Sequence, residues 1–200
     1  MKIPEFAEKP LHPPAEWLER WMKEAEEAGE IEPTAMSLST ISIDGAPRAR
    51  FVLCKGISDT GVLFFTNLGS SKANEISSDS RASIAFHWPI LNRQVRIEGR
   101  LQKTSDQEAD SYFQTRSRLS KIGAWASKQS QPLDSRETLL KAVDDYSSRF
   151  IDDVPRPSHW SGFRLQPSAW EFWQGQEGRL HDRWTIQKLD GNWLSWRLHP

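Results

Sequence analysis

The sequence has little of several features that mark common protein classes. It contains one cysteine, Cys54, which can form neither a disulfide within the chain nor a cysteine-based metal site. The formal net charge is −1, so the chain has no general attraction for nucleic acid or anionic membranes. No apolar run approaches the ~20 residues of a membrane-spanning helix, and the first residues lack the apolar stretch of a secretory signal. We therefore expect a cytoplasmic protein that binds neither nucleic acid nor membrane.

Two catalytic classes are disfavoured because their motifs are missing. The five histidines are scattered, and none has the spacing of an HExxH-like or cysteine/histidine metal site. The chain also lacks the Gly-x-Ser-x-Gly motif on which many serine hydrolases place their nucleophile. We expect no metal ion, and candidate sites are sought instead among local clusters of cations that bind small anionic ligands.

What the sequence does have is a series of short strand-like segments separated by turns. Many strands with few intervening helices predict a mainly β fold, a closed or split antiparallel barrel with peripheral helices. At 200 residues we expect a single domain, 1–200, with an N-terminal helical segment, 1–30, packed on it. The predicted strands are 35–43, 49–55, 62–66, 82–88, 94–102, 163–165, 170–173, 183–188 and 193–198, and the predicted helices are 15–28, 71–78, 105–115 and 134–149.

One predicted strand has a cation at each end, Arg50 and Lys55, and is otherwise apolar. A buried charge needs an anionic partner or a route to solvent. Because the two cations are five residues apart, a regular strand would place them on opposite faces, where they could serve two different anions. The alternative is that both side chains reach solvent from the strand ends. Cys54, in the same run, fits as a small hydrophobic residue.

The segment from Phe65 to Lys72 leaves a strand, turns at Gly69 and enters a helix with hydroxyl groups and a lysine at its start. The N–H groups of a helix N-terminus, the hydroxyls and the lysine would together favour a dianion such as phosphate. Ordinary N-capping explains the same serines equally well.

Tyr112, Arg116 and Ser120 follow one another at four-residue steps. If the helix continues through them, they share a face and could converge on a second phosphate. A solvated helix face is the alternative.

A glycine turn near residue 175 precedes Arg179, His181 and Arg183. If this segment is extended, the three side chains share one face, and their mutual repulsion favours an anionic or electron-rich ligand above them. A surface stripe paired with carboxylates is the alternative.

Taken in order, these segments resemble the pyridoxamine 5'-phosphate oxidase family. The resemblance runs from residue 35 to the end, where Arg197-Leu198-His199-Pro200 is similar to the family's closing Arg-Leu-x-Pro, so we expect a complete C-terminus. It implies an FMN-binding split β-barrel with Greek-key-like antiparallel strands, working as a homodimer whose two flavin sites are built by both subunits. The segments that carry it are 50–55, 65–72, 92–95, 122–130 and 171–183.

The resemblance also implies roles for individual residues. It places Arg179 and His181 against the substrate's pyridine ring as the catalytic pair, and Lys55, Tyr112, Arg116 and Ser120 around the substrate phosphate. The residues implied in FMN binding are Arg50, Phe51, Val52, Leu53, Cys54, Lys55, Phe65, Thr66, Ser71, Lys72, Gln94, Gln129, Ser130, Trp173 and Arg183. This sequence departs from the family pattern at Ser71, usually arginine, at Phe65, commonly tyrosine, and at Gln176, usually the second glycine of a Gly-Gly turn.

The implied reaction converts pyridoxamine or pyridoxine 5'-phosphate to pyridoxal 5'-phosphate. A hydride passes from the C4' carbon to N5 of FMN, and dioxygen reoxidises the flavin with release of hydrogen peroxide. Whether His181 also takes a proton stays open. A phenazine-biosynthesis oxidase, which acts on a tricyclic substrate without phosphate, is one alternative, and the set Tyr112, Arg116 and Ser120 argues against it. A non-catalytic carrier of flavin or pyridoxal phosphate is another, and Arg179 with His181 argues against that.

Overall fold

The computed structural model describes residues 14–200, and this part of the chain forms a curled antiparallel sheet with helices around its edges. The prediction of a mainly β fold with peripheral helices is confirmed, and β3 and α4 are elements that the sequence analysis missed. In chain order the elements are α1 (Pro14–Glu27), β1 (Ala35–Ile41), β2 (Pro47–Leu53), β3 (Gly56–Ser58), β4 (Gly61–Asn67), α2 (Ser71–Ser78), β5 (Arg81–Trp88), β6 (Arg93–Lys103), α3 (Asp106–Thr115), α4 (Arg118–Ala126), α5 (Arg136–Arg149), β7 (Trp160–Gln174), a 3₁₀ turn (Glu177–Arg179), β8 (Asp182–Leu189) and β9 (Asn192–Leu198).

The sheet curls into a half-barrel. Its strand order is β2-β1-β5-β6-β7-β4-β3, and β8 and β9 extend it from β7. The two ends of the curl approach each other just after β2, where the Lys55 N–H donates to the Leu63 carbonyl of β4 at 2.8 Å. This closure brings the end of β2 beside β4, and a cavity opens there.

Strand β7 is where the barrel splits. Its first half pairs with β4 and its second half with β8, while β6 runs along the opposite edge. The prediction of two separate strands, 163–165 and 170–173, is wrong, because both segments belong to the single strand β7. The interruption, Pro167, lies where β7 has neither β4 nor β8 as a partner, and it lies opposite Gly99, where the register between β6 and β7 shifts. A proline is tolerated at such an irregularity, and a Cβ at Gly99 would lie 2.0 Å from the Gln166 carbonyl oxygen.

Helix α1 packs an apolar, aromatic-rich stripe against the core of the sheet. Trp17, Leu18 and Trp21 are all buried, and the two tryptophan rings contact the ring of Phe172 edge-to-face. The helix stops at Gly29, whose φ of +90° suits glycine. The rest of the predicted N-terminal segment, residues 1–13, lies outside the described residues. No helix within residues 14–200 combines the length and apolar character needed to cross a membrane.

Candidate functional site

A cavity of about 860 Å³ opens between the end of β2, β4, and helices α2, α3 and α4. It gathers most of the residues that the sequence analysis implied in ligand binding. Its lining consists of Arg50, Phe51, Val52, Leu53, Lys55, Phe65, Thr66, Asn67, Lys72, Tyr112, Arg116, Ser117, Ser120, Gly123, Ala124, Ser127, Gln129, Ser130 and Trp160. We call it the main cavity.

Arg50 and Lys55 both line the main cavity, and the prediction of a single strand that carries both cations is wrong. The physical reason is that β2 ends at Leu53, and the alternation of side chains does not extend to residue 55. The guanidinium of Arg50 forms an ion pair with Glu75 of α2, with 2.6 Å between Arg50 Nη2 and Glu75 Oε2. It also donates to the Thr40 hydroxyl.

Within the implied cofactor-binding segments 50–55 and 65–72, Cys54 and Ser71 are implied residues that do not line the main cavity. Cys54 is buried in the core, its thiol lies 3.6 Å from the Gly56 carbonyl oxygen, and burial raises its pKa to about 11. It behaves as the small hydrophobic residue that its position predicts, so it could meet a ligand only through its backbone. Ser71, the first residue of α2, also lies outside the lining.

The start of α2 presents a desolvated lysine to the main cavity. Lys72 Nζ donates to Thr66 Oγ1 and to Gln129 Oε1, each at 3.2 Å. Burial, and secondarily the charge of Arg50, lowers the pKa of Lys72. Beside it, Ser70 is the N-cap residue, yet its hydroxyl makes no capping bond and is buried without a hydrogen-bond partner. Capping by its side chain therefore does not account for Ser70, which lies outside the lining of the main cavity, whereas an anion bound at Lys72 would satisfy the lysine's charge.

Tyr112, Arg116 and Ser120 meet at the main cavity by a different route from the one predicted. The condition of a continuous helix through these residues does not hold, because α3 ends at Thr115, close to the predicted end, and Arg116 is extended, with φ −73° and ψ 150°. The side chain of Ser117 then caps a new helix, α4, by accepting the Ser120 N–H at 3.3 Å. The chain turns sharply at this point, and α4 returns Ser120 to the same cavity.

Arg116 is the clearest candidate in the main cavity for contact with an anion. Its guanidinium carbon lies 4.7 Å from the centroid of the Trp160 ring, while its Nη1 atom is buried without a hydrogen-bond partner. Burial lowers the pKa of Arg116, and the nearby Tyr112 opposes that shift. A buried charged donor without an acceptor is costly, so the arrangement fits an anionic group bound between Arg116, Tyr112 and Ser120.

Three near-parallel aromatic rings form one wall of the main cavity. The Phe65 ring stacks on Tyr112 at 4.1 Å and on Trp160 at 5.1 Å between ring centroids. Gly162, directly opposite Phe65 on β7, makes room for this ring, because a Cβ there would lie 2.7 Å from it. Sequence reasoning missed Trp160, for which the available signal was its position at the start of a strand after the proline-rich connector.

A second group of the implied residues lies elsewhere, on the outer face of β6, β7 and β8. Gln94, Trp173 and Arg183 line a smaller cavity of about 240 Å³ together with Arg96, Glu171 and Pro200. Arg183 Nε donates to Glu171 Oε1 at 2.9 Å, and this bond raises the pKa of Arg183. The implied FMN-binding residues are thus divided between two separate cavities of one chain.

Arg179, His181 and Arg183 do not form the predicted extended stripe. The chain makes a 3₁₀ turn through Arg179, which has a φ of +63°, and β8 begins only at Asp182. His181 packs against Trp173, with 4.6 Å between ring centroids, and neither Arg179 nor His181 lines the main cavity. Gln176 is extended, with φ −132°, so a non-glycine residue is accommodated there without strain.

The turn also fixes the proton position on the ring of His181. The Gln176 N–H donates to His181 Nδ1 at 3.1 Å. Because a backbone N–H can only donate, Nδ1 is the acceptor and a neutral ring carries its proton on Nε2. Within residues 14–200, no group of three or more histidine, cysteine, aspartate or glutamate side chains is placed to hold a metal ion.

The fold is shared with solved structures, one of which is of an FMN-binding protein. A pyridoxamine 5'-phosphate oxidase-related, FMN binding protein from Nostoc punctiforme superposes with a TM-score of 0.73 at 17% identity, covering 90% of this chain and 96% of that one. PhzG from Burkholderia lata, solved in complex with tetrahydrophenazine-1-carboxylic acid, superposes with a TM-score of 0.93 at 30% identity. That match covers 100% of this chain and 98% of the other. The class defined by fold and site is the FMN-binding split barrel.

Sequence comparison narrows this class to one family. Residues 22–150 match the family model for pyridoxamine 5'-phosphate oxidase, and residues 160–200 match that for the pyridoxine 5'-phosphate oxidase C-terminal dimerisation region. A pyridoxine/pyridoxamine 5'-phosphate oxidase of Rhizobium johnstonii is 48% identical, covering 90% of this chain and 89% of that protein. A protein of the same name from Cupriavidus necator is 48% identical over 94% of this chain and 89% of its own length. The chain belongs to the pyridoxamine 5'-phosphate oxidase family, a family of oxidoreductases.

Proposed function

We propose that the protein is an FMN-dependent oxidase that converts pyridoxamine 5'-phosphate and pyridoxine 5'-phosphate to pyridoxal 5'-phosphate, reducing dioxygen to hydrogen peroxide. The observation that carries the proposal is the pair of cationic groups in the main cavity that lack an anionic partner among residues 14–200. Arg116 has a buried nitrogen without an acceptor, and burial lowers the pKa of Lys72, whose ammonium donates only to neutral oxygens of Thr66 and Gln129. Two separate anion sites in one cavity are what a flavin phosphate and a substrate phosphate require.

The residues of the main cavity fit FMN. Lys72 and the start of α2 would hold its phosphate, and Arg50, Thr66 and Gln129 would contact the remainder. The departure at Ser71 removes a possible charge-assisted bond, and Lys72 is left as the cation at this point. When bound, the flavin supplies hydride acceptance and reaction with dioxygen. The tasks of the protein are to orient the substrate, bind both phosphates and exclude water from the reacting atoms.

We further propose that each flavin is bound between two copies of the chain. Gln94, Trp173 and Arg183 lie in a cavity separate from the main cavity, so a second copy would supply them. Two observations support a homodimer. The family model matching residues 160–200 is a dimerisation region, and Phe51, beside the main cavity on edge strand β2, is 78% exposed. A large exposed aromatic residue at this position suits an interface.

In this arrangement Arg179 and His181 position the substrate ring and stabilise developing charge. His181 accepts a backbone N–H at Nδ1, so its Nε2–H is available as a donor toward the ring. It is therefore a poor proton acceptor until that tautomer changes. We also propose that the chain acts as one domain in the cytoplasm, which is consistent with a lone, buried thiol.

A phenazine-type oxidase is the second candidate function, favoured by the TM-score of 0.93 with PhzG. The higher identity, 48%, to proteins named pyridoxine/pyridoxamine 5'-phosphate oxidase favours the first candidate. The first candidate is also favoured by Arg116, whose buried Nη1 has no hydrogen-bond partner. Tyr112 and Ser120 line the same cavity, and this arrangement suits a phosphate.

The experiment is to load the purified protein with FMN and follow aldehyde and peroxide formation in air from each of the two phosphate esters. Stoichiometric aldehyde and peroxide would support the proposal. Oxidation of a reduced phenazine carboxylate with no reaction of the phosphate esters would support the second candidate. Bound flavin without turnover of either substrate would indicate a carrier.

A further inference from the structure

Glu171 lies between two arginines on the outer face of the sheet. Its Oε2 atom is 2.5 Å from Arg96 Nη2, and its Oε1 atom is 2.9 Å from Arg183 Nε. The positions are set by strand register, because Arg96 of β6 lies directly opposite Glu171 of β7, and Arg183 stands diagonally across on β8. The Glu171 side chain is 11% exposed, so its charge is largely removed from water and depends on these two partners.

Two bonds fix the orientation of the Arg183 guanidinium. Glu171 accepts from Nε, and the His199 carbonyl oxygen accepts from Nη1 at 2.9 Å. The Nη2 group is not used by either bond. Because a guanidinium is planar, fixing Nε and Nη1 also fixes the direction of Nη2. Arg183, held in this way, lines the 240 Å³ cavity beside Gln94 and Trp173.

We propose that Glu171 is a positioning residue for flavin binding: it orients Arg183 so that this arginine binds the flavin. The inference rests on the proposed function, because that function makes Arg183 a flavin contact. A carboxylate beside the site of an anionic cofactor is unfavourable by charge alone, so its presence there needs a compensating role. The rival explanation is an ion pair that only stabilises the sheet.

The direction in which one substitution changes FMN affinity distinguishes a positioning role from a purely electrostatic one. Glu171→Gln removes a negative charge near the proposed flavin site, and charge alone would then strengthen the binding of dianionic FMN. Loss of orientation at Arg183 would weaken it. A matched control is Glu98→Gln, which removes a carboxylate from an exposed residue two positions beyond Arg96 on the same strand.

The experiment is a titration of the apoprotein with FMN, followed by flavin fluorescence. We expect Glu171→Gln to weaken FMN binding on the order of tenfold and Glu98→Gln to leave it unchanged or slightly tighter. Thermal denaturation and light scattering on the apoproteins would show whether fold and oligomeric state are kept. In an Arg183→Gln background, Glu171→Gln should cause no further loss, because the arginine through which it acts is gone.

Equal or tighter FMN binding by a folded Glu171→Gln variant would overturn the inference, and so would an undiminished loss in the Arg183→Gln background. If Glu171→Gln does not fold, Glu171→Asp serves instead, because its shorter carboxylate keeps the charge but cannot keep both contacts. Wild-type affinity in Glu171→Asp would also overturn the inference. Failure of the wild-type chain to bind FMN would refute the proposed function and this inference with it, whereas normal wild-type binding with unaltered variants refutes the inference alone.

Discussion

Replacing Arg116 with methionine should impair the protein's affinity for a phosphorylated substrate and leave the apoprotein at least as stable. Methionine keeps an apolar chain against Trp160, whose ring centroid lies 4.7 Å from the guanidinium carbon. What is lost is the charge and the buried Nη1 donor that has no partner. The two consequences have opposite signs, so they can be measured separately.

The magnitudes follow from the contacts of Arg116. Removing a buried donor without an acceptor should stabilise the apoprotein by about 1–3 kcal/mol, and losing the cation–π contact should cost about 0.5–1 kcal/mol. The expected net gain in the free energy of unfolding is roughly 1 kcal/mol. Loss of a charge-assisted bond to the substrate phosphate should cost about 1.5–3 kcal/mol. That corresponds to roughly a 10- to 150-fold rise in KM.

The assay is urea denaturation of the apoprotein, together with steady-state turnover of pyridoxamine 5'-phosphate and of pyridoxamine without the phosphate. The variant should lose most of its preference for the phosphorylated compound while retaining FMN. Arg136→Met, which removes the same charge from an exposed residue of α5, is the control and should match the wild type. An equal loss for both substrates, or a large loss of stability in Arg116→Met, would refute the reasoning.

Three further predictions concern the charge, packing and thiol of the site. Burial lowers the pKa of Lys72 from the usual lysine value of 10.5. As the pH rises, Lys72 should therefore lose its charge, and FMN affinity should begin to fall, before the pH reaches 10.5. Lys72→Arg should move this fall to higher pH, and an identical pH profile of FMN affinity would contradict the assignment. Gly162→Ala places a Cβ 2.7 Å from the Phe65 ring and should lower the free energy of unfolding by about 1–3 kcal/mol, measured by urea denaturation, whereas wild-type stability would show that the ring can move freely. Cys54, buried with a pKa near 11, should resist alkylation at pH 8 until the protein unfolds, and fast labelling of the native protein would contradict its placement.

The grouping of the site residues was predicted from the sequence more accurately than the backbone structure that brings them together. Phe65, Lys72, Tyr112, Arg116 and Ser120 were grouped as ligand-binding residues and do share the main cavity. Strand and helix periodicity places residues on faces, and the ordered resemblance linked segments that lie far apart along the chain. Neither the periodicity nor the ordered resemblance depends on the exact boundaries of individual elements.

The failed predictions fall where regular periodicity stops. Four-residue spacing could not reveal that Arg116 leaves the helix, because the break depends on the side chain of Ser117 capping a new one. Arg179, His181 and Arg183 would share one face only if this segment were extended, and that condition fails because the chain turns through left-handed backbone at Gly178 and Arg179. At such positions local side-chain bonds outweigh propensity, and a single sequence does not show which bond forms.

Four cations of the proposed site, Arg50, Lys72, Arg116 and Arg183, fall into two electrostatic groups, and this division bears on how the protein binds its ligands. Arg50 and Arg183 are each held by a carboxylate of the same chain, Glu75 and Glu171. Within residues 14–200, neither Lys72 nor Arg116 forms an ion pair, and burial lowers the pKa of both. The paired arginines are oriented before any ligand arrives, which lowers the entropic cost of binding. The unpaired cations destabilise the empty protein, and anion binding relieves that cost. Phosphate-bearing ligands should therefore stabilise the fold by mass action, and most strongly through these two residues.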